Sequence, residues 1–291
     1  MAALCNAAGR LRRFHHSDFP ADRPAGGGAT VSVCVPARNE AENIVATVDQ
    51  LVRLHDAGIV DQVVVLDDST DGTAELAAAA GAEVHDQSSL RPEFGPVDGK
   101  GDALWRGLQV CTGNVVCYLD ADSADFGERF PRGLIGAVAS GQADFAKGSY
   151  RRPFRTGDVT HPTGGGRVTE LTARPLLELF YPQLAQFGQP LAGEMAVRRD
   201  LLERLPFACG YSVDIALLID AWREVGIERM AEVDLDVRQN RHRPLHELGP
   251  MAAQVAAGIL SRVAREGRLE QSPPLAERPP AASLVSRPAA A

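Results

Sequence analysis

The sequence predicts an α/β protein with a mainly parallel sheet covered by helices on both faces. Three observations predict it. Between residues 31 and 119, apolar runs of strand length alternate with segments of helical periodicity. The runs are continuously apolar, as in strands buried on both faces. Polar clusters close three of them, at the carboxyl ends where open α/β sheets bind ligands.

Each element follows in order. Residues 1–29 are a mixed lead-in ending in the flexible Pro24-Ala-Gly-Gly-Gly28. Val31 to Pro36 is a buried strand. Residues 41–57 carry Ile44, Val48, Leu51 and Val52 at helical spacing. Gln62 to Leu66 is a second strand, Thr73 to Ala80 an Ala-rich helix, and Ala82 to His85 a short strand. Gly99 to Cys111 is a helix, and Asn114 to Leu119 a strand. The division falls at residues 30–142 and 143–270. In the second part, a strand is expected at 143–149 and a loop rich in Arg, Gly and Thr at 151–167. Helices are expected at 168–181, 200–205, 212–225 and 249–266, with a strand from Arg229 to Asp236. Residues 271–291, rich in Pro, Ala and Ser, are expected to be disordered.

The net charge of −8 argues against a nucleic-acid partner, because it leaves no strongly basic face. Five cysteines without C-x-x-C spacing form neither a disulfide framework nor a zinc site, and a reducing cytoplasm suits them. No apolar stretch is long enough for a membrane span.

Asp120-Ala-Asp122 is the most informative cluster. Two carboxylates one residue apart at a strand end supply the oxygen ligands that Mg²⁺ or Mn²⁺ prefers. The alternative is a solvated loop. Asp67-Asp-Ser-Thr-Asp-Gly-Thr73 suits either a base and ribose or the capping of the next helix. Gly99-Lys-Gly-Asp102 offers a helix N-terminus and the Lys100 charge to a diphosphate, or is a Gly turn with a solvated Lys. Gly164-Gly-Gly-Arg-Val-Thr169 joins backbone N–H groups, a guanidinium fork and a hydroxyl. That set suits a phosphate or carboxylate, and Arg151 and Arg152 lie close by in the chain. Arg238 to Arg243 is a polar cluster in which His242 is either a metal ligand or a donor to an anion. Asp214 opens a helix, as a cap or as a ligand to sugar hydroxyls.

Taken in order, VSVCVPARNE, VVVLDDSTDGT, GKGDALWRGL, YLDAD, YRRPF, TGGGRVTEL, QPLAGE, PFACGYSVDIALL and RQNRHRPL resemble the glucosyl-3-phosphoglycerate synthases. These are retaining glycosyltransferases with the glycosyltransferase-A fold. Phe14-His-His-Ser-Asp-Phe19 is similar to the family's lead-in. The resemblance implies a nucleotide-sugar subdomain at 30–142 and an acceptor-binding one at 143–270. It implies that Pro36, Ala37, Arg38, Glu40 and Asp68 hold the uridine and ribose of UDP-glucose. Lys100 would meet the diphosphate or sugar, Asp120 and Ala121 the donor, and Asp122 a Mg²⁺ or Mn²⁺ ion. Gly166, Arg167 and Thr169 would hold the phosphate and carboxylate of a small anionic acceptor, best 3-phosphoglycerate. Leu191 would present its carbonyl near the anomeric carbon, and Asp214 would hold sugar hydroxyls. Tyr211, Arg238 and His242 would join the substrate site. A cytoplasmic enzyme able to form a homodimer is implied.

Departures surround the substrates. The family reads R-E-H-R-N-R-P, with His on the metal and Asn on the acceptor; this chain reads Arg238-Gln-Asn-Arg-His-Arg-Pro244. Either Asn240 binds metal through its carbonyl, or the strand shifts so that His242 does. Asp214 stands where the family has Glu, and the alanine of QPLAGE where it has glycine. The expected reaction is a metal-dependent front-face transfer with retention. The same chemistry with another sugar or acceptor is the alternative, ahead of a nucleotidyltransferase or a non-catalytic sugar-nucleotide binder.

Overall fold

The computed structural model describes residues 9–19, 28–123, 125–156, 159–161, 165–238 and 244–269. The first half alternates as expected: β2 (Val31–Ala37), α1 (Ile44–Asp56), β3 (Gln62–Asp67), α2 (Thr73–Ala79), β4 (Glu83–Asp86), α3 (Gly99–Leu108) and β5 (Val115–Tyr118). The second half adds β6 (Phe145–Arg151), α5 (Arg174–Phe180), α6 (Arg199–Leu202), α7 (Val213–Val225), β10 (Met230–Val237) and α8 (Gly249–Arg265). The expected tail at 271–291 lies outside the described residues.

Five elements go beyond the sequence expectation. Residues Arg12–His15 of the lead-in form β1, a strand of the sheet. The helix α4 (Arg129–Ala139) and the strand β9 (Met195–Arg198) were hidden by weak local signals. Within the expected loop, β7 (Phe154–Thr156) and β8 (Val159–His161) pair as a small antiparallel ribbon. Proline and two glycines depress the helix propensity of α4. The glycines serve packing instead: a Cβ on Gly136 would collide with the Phe19 ring, and one on Gly133 would come within 2.9 Å of His16. The lead-in is thus seated on α4.

The main sheet runs β1-β10-β6-β9-β5-β2-β3-β4. All neighbours are parallel except β9, which is antiparallel to both β5 and β6. Side chains alternate across the pleat. Val33 and Val35 of β2 join Ile44, Val48, Leu51, Phe130 and Leu134 beneath α1 and α4. Cys34 points to the other face, with Leu104, Tyr118, Leu217 and Ile259 beneath α3, α7 and α8. The carboxyl ends of β5, β2 and β3 are adjacent, so their three polar clusters share one rim. Among the described residues no helix is long and apolar enough to cross a membrane.

Candidate active site

Every sequence-predicted site residue within the described residues lines one cavity of about 640 Å³ on that rim. Asn240 and His242 lie outside the described residues.

At one end, the loops after β2 and β3 are tied together. Asn39 N–H donates to Ser69 Oγ (2.8 Å), Thr70 N–H to Asn39 Oδ1 (3.0 Å), and Glu40 N–H to Thr73 Oγ1 (3.0 Å). Arg38 lies 3.5 Å from Asp68 across this end. The N-cap of α2 is Gly72, so no side chain of the Asp67 cluster caps that helix directly. Asp71 accepts from the Thr73 N–H beside the start of α2, while Asp68 lines the cavity.

At the centre, Lys100 on the first turn of α3 reaches Asp120 Oδ1 (2.8 Å) and Asp214 Oδ2 (3.2 Å). Gly193 makes this possible, because a Cβ there would overlap both the Lys100 amine and the Asp120 carboxylate. Burial disfavours charge on Lys100, but Asp120 and Asp214 outweigh it and raise its pKa. Burial likewise opposes charge on Asp120, and Lys100 and Arg238 overcome it, holding the carboxyl well below the usual range.

Arg238, only 1% exposed, is the hub beneath the strand-end pair. It donates to Asp122 Oδ1 (2.7 Å), Asp120 Oδ2 (3.5 Å) and Tyr150 Oη (3.0 Å), and pairs with Glu194 Oε1. Tyr150 Oη donates in turn to Glu194 Oε2 (2.9 Å). Burial raises the Glu194 carboxyl against the pull of Arg238. Lys147 on β6 is fully buried and donates to the Asp214 carbonyl (3.3 Å). Burial lowers its pKa to about 8 despite Asp214. Three cations (Lys100, Lys147, Arg238) thus meet three buried or half-buried carboxylates (Asp120, Asp214, Glu194). Asp122, with a side chain 55% exposed, adds a further negative charge facing the cavity.

At the other end, Gly166 and Arg167 precede a π-helical turn that Thr169 opens, Thr169–Ala173, and Leu191 and Tyr211 line the same cavity. Arg152 stacks 5.1 Å from the Tyr150 ring, and its buried Nε has no hydrogen-bond partner among the described residues. Asp214 Oδ1 is buried in the same condition. An unanswered donor toward the acceptor end and an unanswered acceptor at the centre suit an anion and a hydroxyl-bearing sugar.

Lys147, Tyr150 and Glu194 were not among the sequence-predicted site residues. A lysine inside the strand Phe145-Ala-Lys-Gly was a usable signal, since charge is rare in a buried strand. Tyr150 and Glu194 carried none beyond membership of YRRPF and QPLAGE.

Residues 32–204 match Glycosyl transferase family 2. The chain is 46% identical over 240 residues to the glucosyl-3-phosphoglycerate synthase of Mycobacterium tuberculosis, covering 81% of this chain and 74% of that one. The crystal structure of mannosyl-3-phosphoglycerate synthase from Rubrobacter xylanophilus superposes with a TM-score of 0.83 at 43% identity, covering 90% of this chain and 84% of that one. The Mycobacterium tuberculosis enzyme in complex with Mn²⁺, UDP-glucose and phosphoglyceric acid superposes with a TM-score of 0.77 at 41% identity, covering 88% of each chain. Fold and site therefore define a family 2 glycosyltransferase with the glycosyltransferase-A architecture. Within that class, the chain belongs to the glucosyl-3-phosphoglycerate synthase family.

Proposed function

We propose that this enzyme transfers glucose from UDP-glucose to 3-phosphoglycerate with retention of configuration, using Mg²⁺ or Mn²⁺. The observation that carries the reading is the cavity's polarity. An exposed carboxylate, Asp122, stands at its centre, and a Gly-Arg-Thr anion seat closes one end. The relative solved with Mn²⁺, UDP-glucose and phosphoglyceric acid supports the same pairing of ligands.

In this reading Pro36, Ala37, Arg38, Glu40 and Asp68 bind uridine and ribose, and Asp120 and Ala121 flank the sugar. Asp122 fits a hard cation, being a carboxylate at the open face of a cluster already balanced without it. Asn240 or His242 completes its protein ligands. When bound, the cation acts as a Lewis acid that neutralises charge on the leaving diphosphate. Lys100, fixed by Asp120 and Asp214, holds a permanent positive charge beside the same group. Asp214 Oδ1 accepts from sugar hydroxyls. Gly166, Arg167 and Thr169 hold the acceptor's anionic groups, with Tyr211, Arg238 and His242 completing the substrate walls. The acceptor hydroxyl attacks the anomeric carbon from the side on which the carbon–diphosphate bond breaks. Its proton passes to a phosphate oxygen, beneath the Leu191 carbonyl. Positioning then supplies much of the rate. A cytoplasmic setting belongs to the same reading, and the described cysteines, all free thiols, support it.

A second reading, the same chemistry with mannose, is favoured by the Rubrobacter relative and by the shorter reach of Asp214. A donor-by-acceptor screen with Mg²⁺ and Mn²⁺, reading released nucleoside diphosphate, separates the two. Highest kcat/KM with UDP-glucose and 3-phosphoglycerate is expected. Turnover only with a mannose donor, or with a neutral acceptor, overturns the proposal.

A further inference from the structure

The lead-in carries a motif that the transfer reaction does not use. β1 pairs in parallel with β10, aligning Arg12 with Ala231 and His15 with Asp234. The chain then turns at His16 against α4. On the other side, β10 bulges between Asp234 and Val237, and Asp236 takes a left-handed φ of +69°. This conformation is strained for a non-glycine residue. It is fixed by the Asp236 N–H, which donates to Asp234 Oδ1 (2.8 Å).

The result is a carboxylate facing two imidazoles. His16 Nε2 lies 2.7 Å from Asp236 Oδ2, and His15 Nε2 lies 3.4 Å from Asp236 Oδ1. A nitrogen of each ring and a carboxylate oxygen all fall within 4.8 Å of one another. Two ligands about 2 Å from a common cation are themselves roughly 3 Å apart, so these separations are already close to those of a ligand set. The rings are held for the purpose. His15 Nδ1 is 2.7 Å from Ser17 Oγ, an outer partner of the kind that orients metal-binding histidines. The rings lie 4.2 Å apart and both present Nε2 to the same carboxylate. Among the described residues Arg151 is the cation that competes for this carboxylate. Its Nη2 is 3.7 Å from Asp236 Oδ1 on a side chain 65% exposed, and its Nε donates to the Asp236 carbonyl (3.5 Å).

We propose that His15, His16 and Asp236 form a second divalent-metal site, selective for a borderline cation of the Zn²⁺, Co²⁺ or Ni²⁺ type. Two imidazoles and one carboxylate suit such ions, whereas Mg²⁺ prefers an all-oxygen shell. The site is separate from the strand-end carboxylates: it sits at the sheet edge and joins the lead-in to the strand after which Arg238 follows. A cation there pins residues 12–16 to the exit of β10.

The test titrates Zn²⁺ into the full chain in excess Mg²⁺, which occupies oxygen-rich sites, and reads bound zinc and thermal stability. Wild type is expected to take one Zn²⁺ per chain and to melt higher with it. Asp236→Asn and His15→Gln should each weaken zinc binding by well over about tenfold, the cost that even an outer-shell partner can carry. Both variants keep side-chain size, so they guard against a misfolded His16→Ala. Asp122→Ala should bind zinc as wild type does. Co²⁺ should give a visible absorption band in wild type that Asp236→Asn lacks. Wild type that takes up no zinc in excess Mg²⁺ overturns the proposal. So does zinc uptake unchanged in Asp236→Asn and His15→Gln, or lost in Asp122→Ala.

Discussion

Arg238 Nη2 lies 2.7 Å from Asp122 Oδ1, and this contact joins a buried ion cluster to the exposed carboxylate of the strand-end pair. The guanidinium neutralises Glu194 below and orients Asp122 above. Removing it leaves Glu194 buried without its main counter-charge. Arg238→Met is expected to cost about 3–5 kcal/mol in urea unfolding. Adding Glu194→Gln should recover part of that loss. Costs that simply add in the double variant would show that the two residues are not coupled.

Asp122→Ala removes a half-exposed side chain, so stability should change by less than about 1 kcal/mol. Transfer, by contrast, should be abolished, and nucleotide-sugar binding should lose its dependence on Mg²⁺ or Mn²⁺. Full turnover in the variant without added metal would sink the assignment of Asp122 to the cation.

Arg167→Lys keeps the positive charge and loses the bidentate fork. The acceptor KM should rise on the order of tenfold, as expected for one charge-assisted hydrogen bond, with donor affinity unchanged. A defect confined to donor binding would place Arg167 elsewhere in the cycle.

Asn240 and His242 are separated by metal titration of single variants. With Arg238, Arg241, Arg243 and Pro244 matching the family without a gap, Asn240 is expected at the metal and His242 at the acceptor. Asn240→Ala should then weaken Mn²⁺ binding, and His242→Ala should raise the acceptor KM. Mn²⁺ affinity lost only in His242→Ala would refute this register.

Lys147 gives a pH dependence with a definite sign. Its folded pKa, about 8, lies below the ordinary lysine value of 10.5. Between these values the unfolded chain holds the extra proton, so this group's contribution to stability rises with pH. Across that window the rise is at most about 3 kcal/mol. Lys100 acts oppositely: its raised pKa keeps its contribution whole below 10.5 and loses it only above. Unfolding free energies of wild type and Lys147→Met, measured from pH 7 to 10, should therefore converge or cross in favour of wild type as pH rises. Parallel curves would show that Lys147 keeps its proton throughout.

Much of the donor half was legible in order. Val31–Ala37, Gln62–Asp67 and Val115–Tyr118 announce themselves as uninterrupted apolar runs, because a strand covered on both faces has no polar side to show. Their terminal polar residues could only face the rim. β9 was not legible: four residues, Met195–Arg198, are too few for a period, and their place between β5 and β6 depends on pairing with strands remote in sequence. α4 was masked by glycines whose purpose appears only with Phe19 and His16 against them.

The sequence by itself determined the α/β class, the three strand-end clusters and the family, because local periodicity and contiguous motifs are written in neighbouring residues. Reasoning on strand ends placed Asp68, Asp120 and Asp122 on one rim, and the family resemblance added Lys100 and Arg167 to the same site. Only the tertiary structure decided how those charges are balanced. Glu194, Tyr150 and Lys147 come from separate segments, and their meaning is set by burial and by distances of about 3 Å to Arg238 and Asp214. Tertiary structure also brought His15 and His16 to Asp236, more than two hundred residues away in the chain. Electrostatic pairing depends on separation in space and on exclusion of water, and neither quantity is encoded in the order of residues along one strand.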